Sequence, residues 1–458
     1  MFQSAYKPNN HHLTIQLSSI KESSRAHYQS DTVLTRYGGW IPADPAVYEA
    51  FFDDLLRSID TKKAHVPAVQ EFEDALNSDP ELVDLLGQTF LQTAPENRIR
   101  NLEQLLYCLD QVVVAAPKFQ VVRNERGAVT GGEPIGVPLY LLFDLLSNTA
   151  AGFDLLRMPK FNISLKSLLD SWGDYLQSAE SNNTLNDSDE GWFGEVGLAT
   201  LENDRGIFNE IYECPDETAV NRGFTSWDSF FTRKFKPNAR PIEKPEPPNF
   251  FIYNACESTV VRKTTGVEEH DQFWLKGQAY SIYDMLARRD DEVAASFIGG
   301  TVYQAFLSPY DYHRWHSPVD GTIREIQIIE GSYYAALPDE GAGESDSDLQ
   351  LGDPRGAIIR SQPWLTQAST RAIIYIDADN KDVGCLVFIG VGMVEVSTCQ
   401  VSVSEGQHVN IGDELGMFRF GGSTHALIFG KDVKLKFFDL EQDKGHRRVN
   451  TPLAALEI

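Results

Sequence analysis

The apolar positions of the first two hundred residues recur at helical spacing. Val47, Phe51, Leu55 and Ile59 follow Asp44-Pro45, a capping side chain and a proline suited to a first helical turn. Three further stripes are Leu82, Leu85, Leu86 and Phe90; Ile99, Leu102, Leu105, Leu106 and Leu109; and Leu165, Leu168, Leu169, Trp172 and Leu176. Each reads as the buried face of an amphipathic helix rather than a cofactor box. Residues 180–190 are polar and turn-rich, and read as a loop near a domain boundary. From about Phe250 the period shortens. Runs such as TVYQAFLSP, GTIREIQIIEGSYY and AIIYIDADNKDVGCLVFIGVG are separated by Gly, Asp and Pro turns, the spacing of an antiparallel β domain.

The expected fold class is therefore α+β. A flexible N-terminus (1–30) leads into a helical N-terminal domain (31–200), and an antiparallel β-rich, barrel-sandwich-like domain (201–458) follows. Val401–Leu415 has two glycine turns and reads as a hairpin of that second domain. Pro338–Asp348 is acidic and rich in Gly and Ser, so a mobile loop is expected there.

Charge narrows the function classes. With 66 Asp and Glu against 40 Lys and Arg, the formal net charge is −26. A field of that sign repels phosphate backbones and anionic lipid headgroups, which argues against nucleic acid and against a membrane surface as partners. No stretch approaches the roughly 20 apolar residues that span a bilayer, and the first residues lack a signal-peptide core. Five scattered cysteines without CxxC pairs fit reduced thiols in the cytoplasm.

Two runs carry chemistry. Phe420-Gly421-Gly422-Ser423-Thr424 reads first as a turn between strands. Glycine there also lets the Ser423 hydroxyl approach the Gly422 carbonyl without a Cβ clash. Attack would exchange the amide for an ester. β-Elimination and hydrolysis would then leave a pyruvoyl group at a new N-terminus, provided a nearby base activates the hydroxyl. The second run, Ser308-Pro309-Tyr310-Asp311-Tyr312-His313-Arg314-Trp315-His316-Ser317-Pro318-Val319-Asp320-Gly321, supplies candidate bases in His313 and His316. The same pair could ligate zinc, but no third Cys or His stands at a convincing spacing, so no metal is expected. Asp377–Asp382 reads as a hairpin turn, with a calcium loop as the alternative.

Tyr-His-Arg-x-His followed by Pro and Asp-Gly, with Gly-Ser-Thr towards the C-terminus, resembles the phosphatidylserine decarboxylase family. Phe224–Arg233, Arg240-Pro241-Ile242 and Leu275–Ser281 keep the family's order, and together these runs cover residues 220–440. The resemblance implies self-cleavage between Gly422 and Ser423, a pyruvoyl group made from Ser423 without pyridoxal phosphate, and fragments that stay associated. It implies His316 as the cleavage base and His313 as a residue of the decarboxylation cycle. Where the family carries an Asp, this chain has Glu257 in Ala255-Cys256-Glu257-Ser258, so Glu257 is the expected orienter of an imidazole, with Asp320 as its rival. In such a decarboxylase a substrate amine condenses with the pyruvoyl ketone as a Schiff base, and the conjugated carbonyl accepts electrons as carbon dioxide leaves.

Gly38–Pro42, Ser171-Trp172-Gly173 and Glu395–Cys399 extend the resemblance to the soluble fungal branch that contains tryptophan decarboxylation. This branch implies a small-molecule amino acid as substrate, L-tryptophan or a related aromatic, with phosphatidylserine as the alternative. Tyr310, Trp315, Tyr333, Tyr334 and Trp364 are candidate pocket walls, although each alone reads as packing. A non-enzymatic β-sandwich binding module is the reading from another class.

Overall fold

Proline and capping side chains set the helix starts. In the computed structural model, which describes residues 37–243, 250–269, 280–288, 291–395, 398–421, 423–438 and 446–457, Asp44 Oδ1 accepts the Ala46 N–H at 2.8 Å and Pro45 opens α1 (Pro45–Arg57). Then come α2 (Pro67–Asn77), α3 (Pro80–Gln92), α4 (Leu102–Val112), α5 (Pro138–Ser147), α6 (Ala150–Leu155) and α7 (Pro159–Gln177). The four apolar stripes fall on α1, α3, α4 and α7, and their inward positions are buried: Val47, Leu82, Leu105 and Leu165 are each at most 1 % exposed. Residues 180–190, expected as loop, instead begin within a 3-10 helix, Ala179–Thr184. The hairpin β1 (Lys118–Arg123) and β2 (Val129–Ile135) interrupts the helices.

The remaining strands are β3 (Phe251–Tyr253), β4 (Ser258–Thr265), β5 (Thr301–Leu307), β6 (Arg314–His316), β7 (Gly321–Ile329), β8 (Arg371–Ala378), β9 (Cys385–Gly392), β10 (Thr398–Val401), β11 (His408–Val409), β12 (Glu414–Arg419), β13 (Ser423–Phe429), β14 (Leu435–Phe437), β15 (His446–Arg447) and β16 (Pro452–Leu456). All paired strands are antiparallel. The largest sheet runs β11-β7-β8-β9-β13-β5-β4-β15, and β10-β12-β6 and β14-β16-β3 form two smaller ones. The large sheet is an open ribbon rather than a barrel among the described residues. Helical side chains such as Leu165 and Trp172 and strand side chains such as Ile374 and Ile389 belong to one apolar core within the compact unit 34–458.

Two acidic loops are held by side-chain contacts. Asp377–Asp382 is the β8–β9 connection, with Asp377 paired to Arg324 at 2.7 Å and Asp379 to His408 at 3.0 Å. Pro338–Asp348, expected to be mobile, is tied by side chains: Asp339 pairs with Arg360 at 2.6 Å, and Asp348 accepts the Tyr37 N–H at 2.8 Å.

Candidate active site

The strand carrying Ser423 lies inside the large sheet. β13 pairs with β5 on one side and β9 on the other, so Ser423 stands between Leu307 and Gly392. Seven consecutive buried positions, Ser423–Phe429, follow from being covered on both faces. The Ser423 side chain is 0 % exposed, and its hydroxyl has no hydrogen-bond partner among the described residues. A buried hydroxyl in that state costs about 1–3 kcal/mol, so its presence calls for a functional reason. The turn into β13 is strained: Phe420, which carries a Cβ, has φ of +84°. Gly422 lies outside the described residues.

The histidine run continues from β5 and returns as β6. Arginines on both sides hold it. Arg233 donates from Nη2 to the Tyr310 and Asp311 carbonyls at 2.8 and 3.1 Å, and Arg314 donates from Nε to the Thr232 carbonyl at 2.9 Å. The run Phe224–Arg233 is thus the clamp on the histidine loop. His313 is 0 % exposed and stacks on Phe231 with ring centroids 4.0 Å apart. Burial pushes its pKa down to about 3, so the ring is neutral. Its backbone carbonyl accepts the Phe418 N–H at 2.9 Å, which joins the histidine loop to the strand leading into Ser423.

His316 has both nitrogens engaged. Nδ1 lies 2.7 Å from the Gly412 carbonyl and Nε2 2.9 Å from the Tyr312 hydroxyl. A carbonyl only accepts, so Nδ1 carries the hydrogen and Nε2 the lone pair, with Tyr312 as its donor. Burial lowers the His316 pKa and the Gly412 carbonyl opposes that shift. The result is a neutral imidazole with its basic nitrogen directed at a phenol. Tyr312 is itself fixed by stacking on Phe235 at 3.9 Å.

Neither expected acid orients that ring. Glu257, 1 % exposed, accepts Arg240 Nε at 2.6 Å and the Val449 N–H at 3.1 Å, and its Oε2 lies 3.3 Å from His446 Nε2. The same His446 nitrogen lies 3.2 Å from Asp311 Oδ1, which also accepts Arg205 Nε at 2.6 Å. Burial alone would raise the Asp311 pKa. The Arg205 guanidinium and the His446 imidazole outweigh it and hold the carboxyl well below the usual carboxylate range. Asp320 accepts the Ile411 N–H at 2.7 Å and so braces the loop that presents Gly412. The cluster Arg205, Asp311, His446, Glu257 and Arg240 was not read from the sequence as a unit. Arg240 and Asp311 stand in the quoted runs, but His446 carried no signal.

Of the candidate walls, Trp315 is core: a Cβ at Gly390 or Gly416 would come within 2.9 and 2.8 Å of its ring. Tyr310 donates to the Gly39 carbonyl at 2.9 Å, and Trp364 packs beside Phe153. Tyr333 and Tyr334 are buried, and the Tyr334 hydroxyl has no partner among the described residues. Among these residues no three His, Cys, Asp or Glu side chains group as metal ligands, and no helix is long and apolar enough to cross a membrane.

Ser423 is buried beyond the strained Phe420 and paired with Leu307, the last residue of β5 before the loop that carries the neutral His313, an arrangement suited to an activated nucleophile. Sequence comparison identifies the family. A phosphatidylserine decarboxylase profile matches residues 227–450 and a second profile of that description matches 66–201. Decarboxylase iboD of Amanita muscaria (strain Koide BX008) is 52 % identical over 76 % of this chain and 98 % of its own. The L-tryptophan decarboxylase of Psilocybe cubensis is 33 % identical over 92 % of this chain and 94 % of its own. Phosphatidylserine decarboxylase proenzyme 3 of Schizosaccharomyces pombe is 33 % identical over 46 % of this chain and 19 % of its own. The chain belongs to the phosphatidylserine decarboxylase family and is a decarboxylase.

Proposed function

We propose that the chain cuts itself between Gly422 and Ser423 and then decarboxylates a free amino acid, L-tryptophan or a related aromatic. The observation that carries the first part is the Ser423 hydroxyl, fully buried and without a partner among the described residues, three positions after the strained Phe420. In the cleavage step the hydroxyl oxygen attacks the Gly422 carbonyl carbon and the amide C–N bond breaks, leaving an ester. Elimination across Cα–Cβ of residue 423 releases fragment 1–422 as a carboxylate. Water then converts the dehydroalanine at position 423 to a pyruvoyl group with loss of ammonia. His316 Nε2 is the expected base, with the Tyr312 hydroxyl held on that nitrogen as the route for the proton.

The pyruvoyl carbonyl supplies an electrophile for the substrate amine and an electron sink as carbon dioxide leaves. The protein's share is to hold the substrate, exclude water and manage protons. The apolar packing of Phe231 on His313 keeps that imidazole neutral and dry beside the strand that leads into Ser423. The fragments 1–422 and 423–458 stay together because β13 is an interior strand of the large sheet.

The amino-acid substrate is supported by similarity to the Psilocybe cubensis L-tryptophan decarboxylase along nearly the whole chain. The likeness to Schizosaccharomyces pombe phosphatidylserine decarboxylase proenzyme 3 covers under half of it. The net charge of −26 also disfavours an anionic lipid surface. The test is amine release from tryptophan, phenylalanine, tyrosine, glutamate and liposomal phosphatidylserine by purified protein, with no pyridoxal phosphate added. Release from the aromatic acids is expected. Turnover of the lipid alone would overturn the substrate class, and a fully active preparation containing only uncut chain would overturn the pyruvoyl mechanism.

A further inference from the structure

Glu395 is a buried acid that spends one oxygen on the start of α5. It is 2 % exposed, its Oε1 accepts the Tyr140 N–H at 2.9 Å at the start of α5, and its Oε2 has no partner among the described residues. Natural cores rarely leave such an oxygen unsatisfied. The backbone is strained to place it. Val394, the residue before, has φ of +54°, a conformation that a β-branched side chain strongly resists. Val394 is pinned there by donating its N–H to the Tyr333 carbonyl at 3.2 Å.

The position matters because of register. Gly392 is the β9 residue directly opposite Ser423, and Glu395 follows three residues later. Three residues of chain reach at most about 10 Å, so Glu395 stays in the neighbourhood of residue 423. Tyr334 is also buried, its hydroxyl has no partner among the described residues, and its pKa is raised by burial and by the Glu395 charge. The helix that Glu395 caps carries, one turn beyond Tyr140, Asp144, a second buried acid pushed up to about 7.

We infer that Glu395 is the acid that carries, on Oε2, the proton returned to the substrate carbon from which carbon dioxide has left. The assignment rests on the decarboxylase reading above. In this step the Glu395 O–H bond breaks and a C–H bond forms at the substrate α-carbon. The carboxylate is reprotonated by water before the next turnover, which accounts for the one proton each decarboxylation consumes. His313, buried and stacked on Phe231, has its pKa pushed down to about 3 and so carries no proton to give in the resting enzyme. Burial acts on Glu395 in the opposite sense, raising its pKa to about 8 against the pull of the Tyr140 and Leu139 amides. The acid is therefore neutral and loaded at pH 7, and unloads as pH rises through about 8.

The test uses the full chain as wild type, Glu395→Gln and Glu395→Asp. A denaturing gel reads cleavage and thus folding. Amine release is measured on the acid the wild type prefers, and mass spectrometry reads the N-terminal residue of fragment 423–458 after turnover. Glu395→Gln is expected to cut normally and to release amine about 10²- to 10⁴-fold more slowly. Its fragment 423–458 should accumulate alanine at position 423, because a misplaced proton leaves the amine nitrogen on the cofactor carbon and frees the substrate as an aldehyde. Glu395→Asp should fall between. Wild-type turnover should drop about tenfold per pH unit above about 8, a limb that Glu395→Gln lacks. Infrared difference spectra of the wild type should show a neutral-acid carbonyl at pH 7, identified against the Asp144 band by its absence in Glu395→Gln. A Glu395→Gln enzyme that fails to cut, or that cuts and releases amine at the wild-type rate, overturns the assignment. So does a wild type without the neutral-acid band. A wild type that releases no amine from any substrate overturns the decarboxylase reading instead.

Discussion

Asp311→Asn tests whether the buried charge cluster holds the His446 segment to the middle of the chain. The substitution keeps shape and removes charge. Asp311 is 0 % exposed, with Arg205 Nε at 2.6 Å, His446 Nε2 at 3.2 Å and the Ser308 N–H at 2.7 Å. Asparagine offers one acceptor oxygen where three donors converge, so at least one buried cation loses its counter-charge. Breaking a buried pair in this way costs about 3–5 kcal/mol. Unfolding entropy of about 2.1 cal/mol/K per residue over the about 425 residues of the unit 34–458 converts that to a fall of roughly 3–6 °C in Tm. The sign with pH follows from the depressed carboxyl. Its stabilisation is complete above the ordinary Asp value of 3.8 and is lost as pH falls below it towards the folded-state value. The gap between wild type and Asp311→Asn should therefore be full at pH 7 and narrow below about pH 4. Scanning calorimetry across pH measures this, and native mass spectrometry after cleavage reads retention of fragment 423–458, which carries His446. Equal Tm at pH 7, or a gap that widens in acid, refutes the reasoning.

Ser423→Ala should leave a single uncut chain without decarboxylase activity, seen as one mass in intact-protein spectrometry; a cut chain would move the cleavage site elsewhere. His316→Ala should block cutting, whereas His313→Ala should cut and then release amine poorly, as judged by gel and amine assay on the same preparations; normal cutting by both would remove His316 as the base. Tyr312→Phe keeps the packing on Phe235 and deletes the hydroxyl on His316 Nε2. Cutting should slow about tenfold, the worth of one ordinary hydrogen bond, in a time course of fragment appearance.

Which of these residues a sequence reveals depends on how far away their partners lie. The helices were legible because cap, proline and apolar stripe are local: Asp44, Pro45 and Val47 act within one turn, and α1 begins at Pro45. The strands were legible from period and turns, and Asp377–Asp382 lies where β8 turns into β9. Glu257 shows the limit. The family resemblance marks it as the acid for His316, but the histidine it sits beside is His446 and its strongest partner is Arg240. The pairing of β15 with β4 brings His446 there, and nothing within a few residues of either announces it.

The same argument explains why the His316 tautomer and Glu395 escape a linear reading. Which nitrogen of His316 is basic is decided by the Gly412 carbonyl, which lies on the loop braced by Asp320. Asp320, expected as a rival orienter, thus acts on His316 at one remove through the backbone it supports. Glu395 looks like any acidic residue after a strand until the fold removes its water and gives one oxygen to the Tyr140 amide, the other having no partner among the described residues. Charge in this protein is mostly at the surface, where screening over about 8 Å makes individual positions interchangeable. The few carboxylates that the fold desolvates behave in two opposite ways. Asp311, facing Arg205 and His446, stays charged and ties the chain together, whereas Glu395, facing two amides, holds its proton. The partner the fold supplies, a cation in one place and a neutral donor in the other, separates a structural acid from one able to give up a proton at neutral pH.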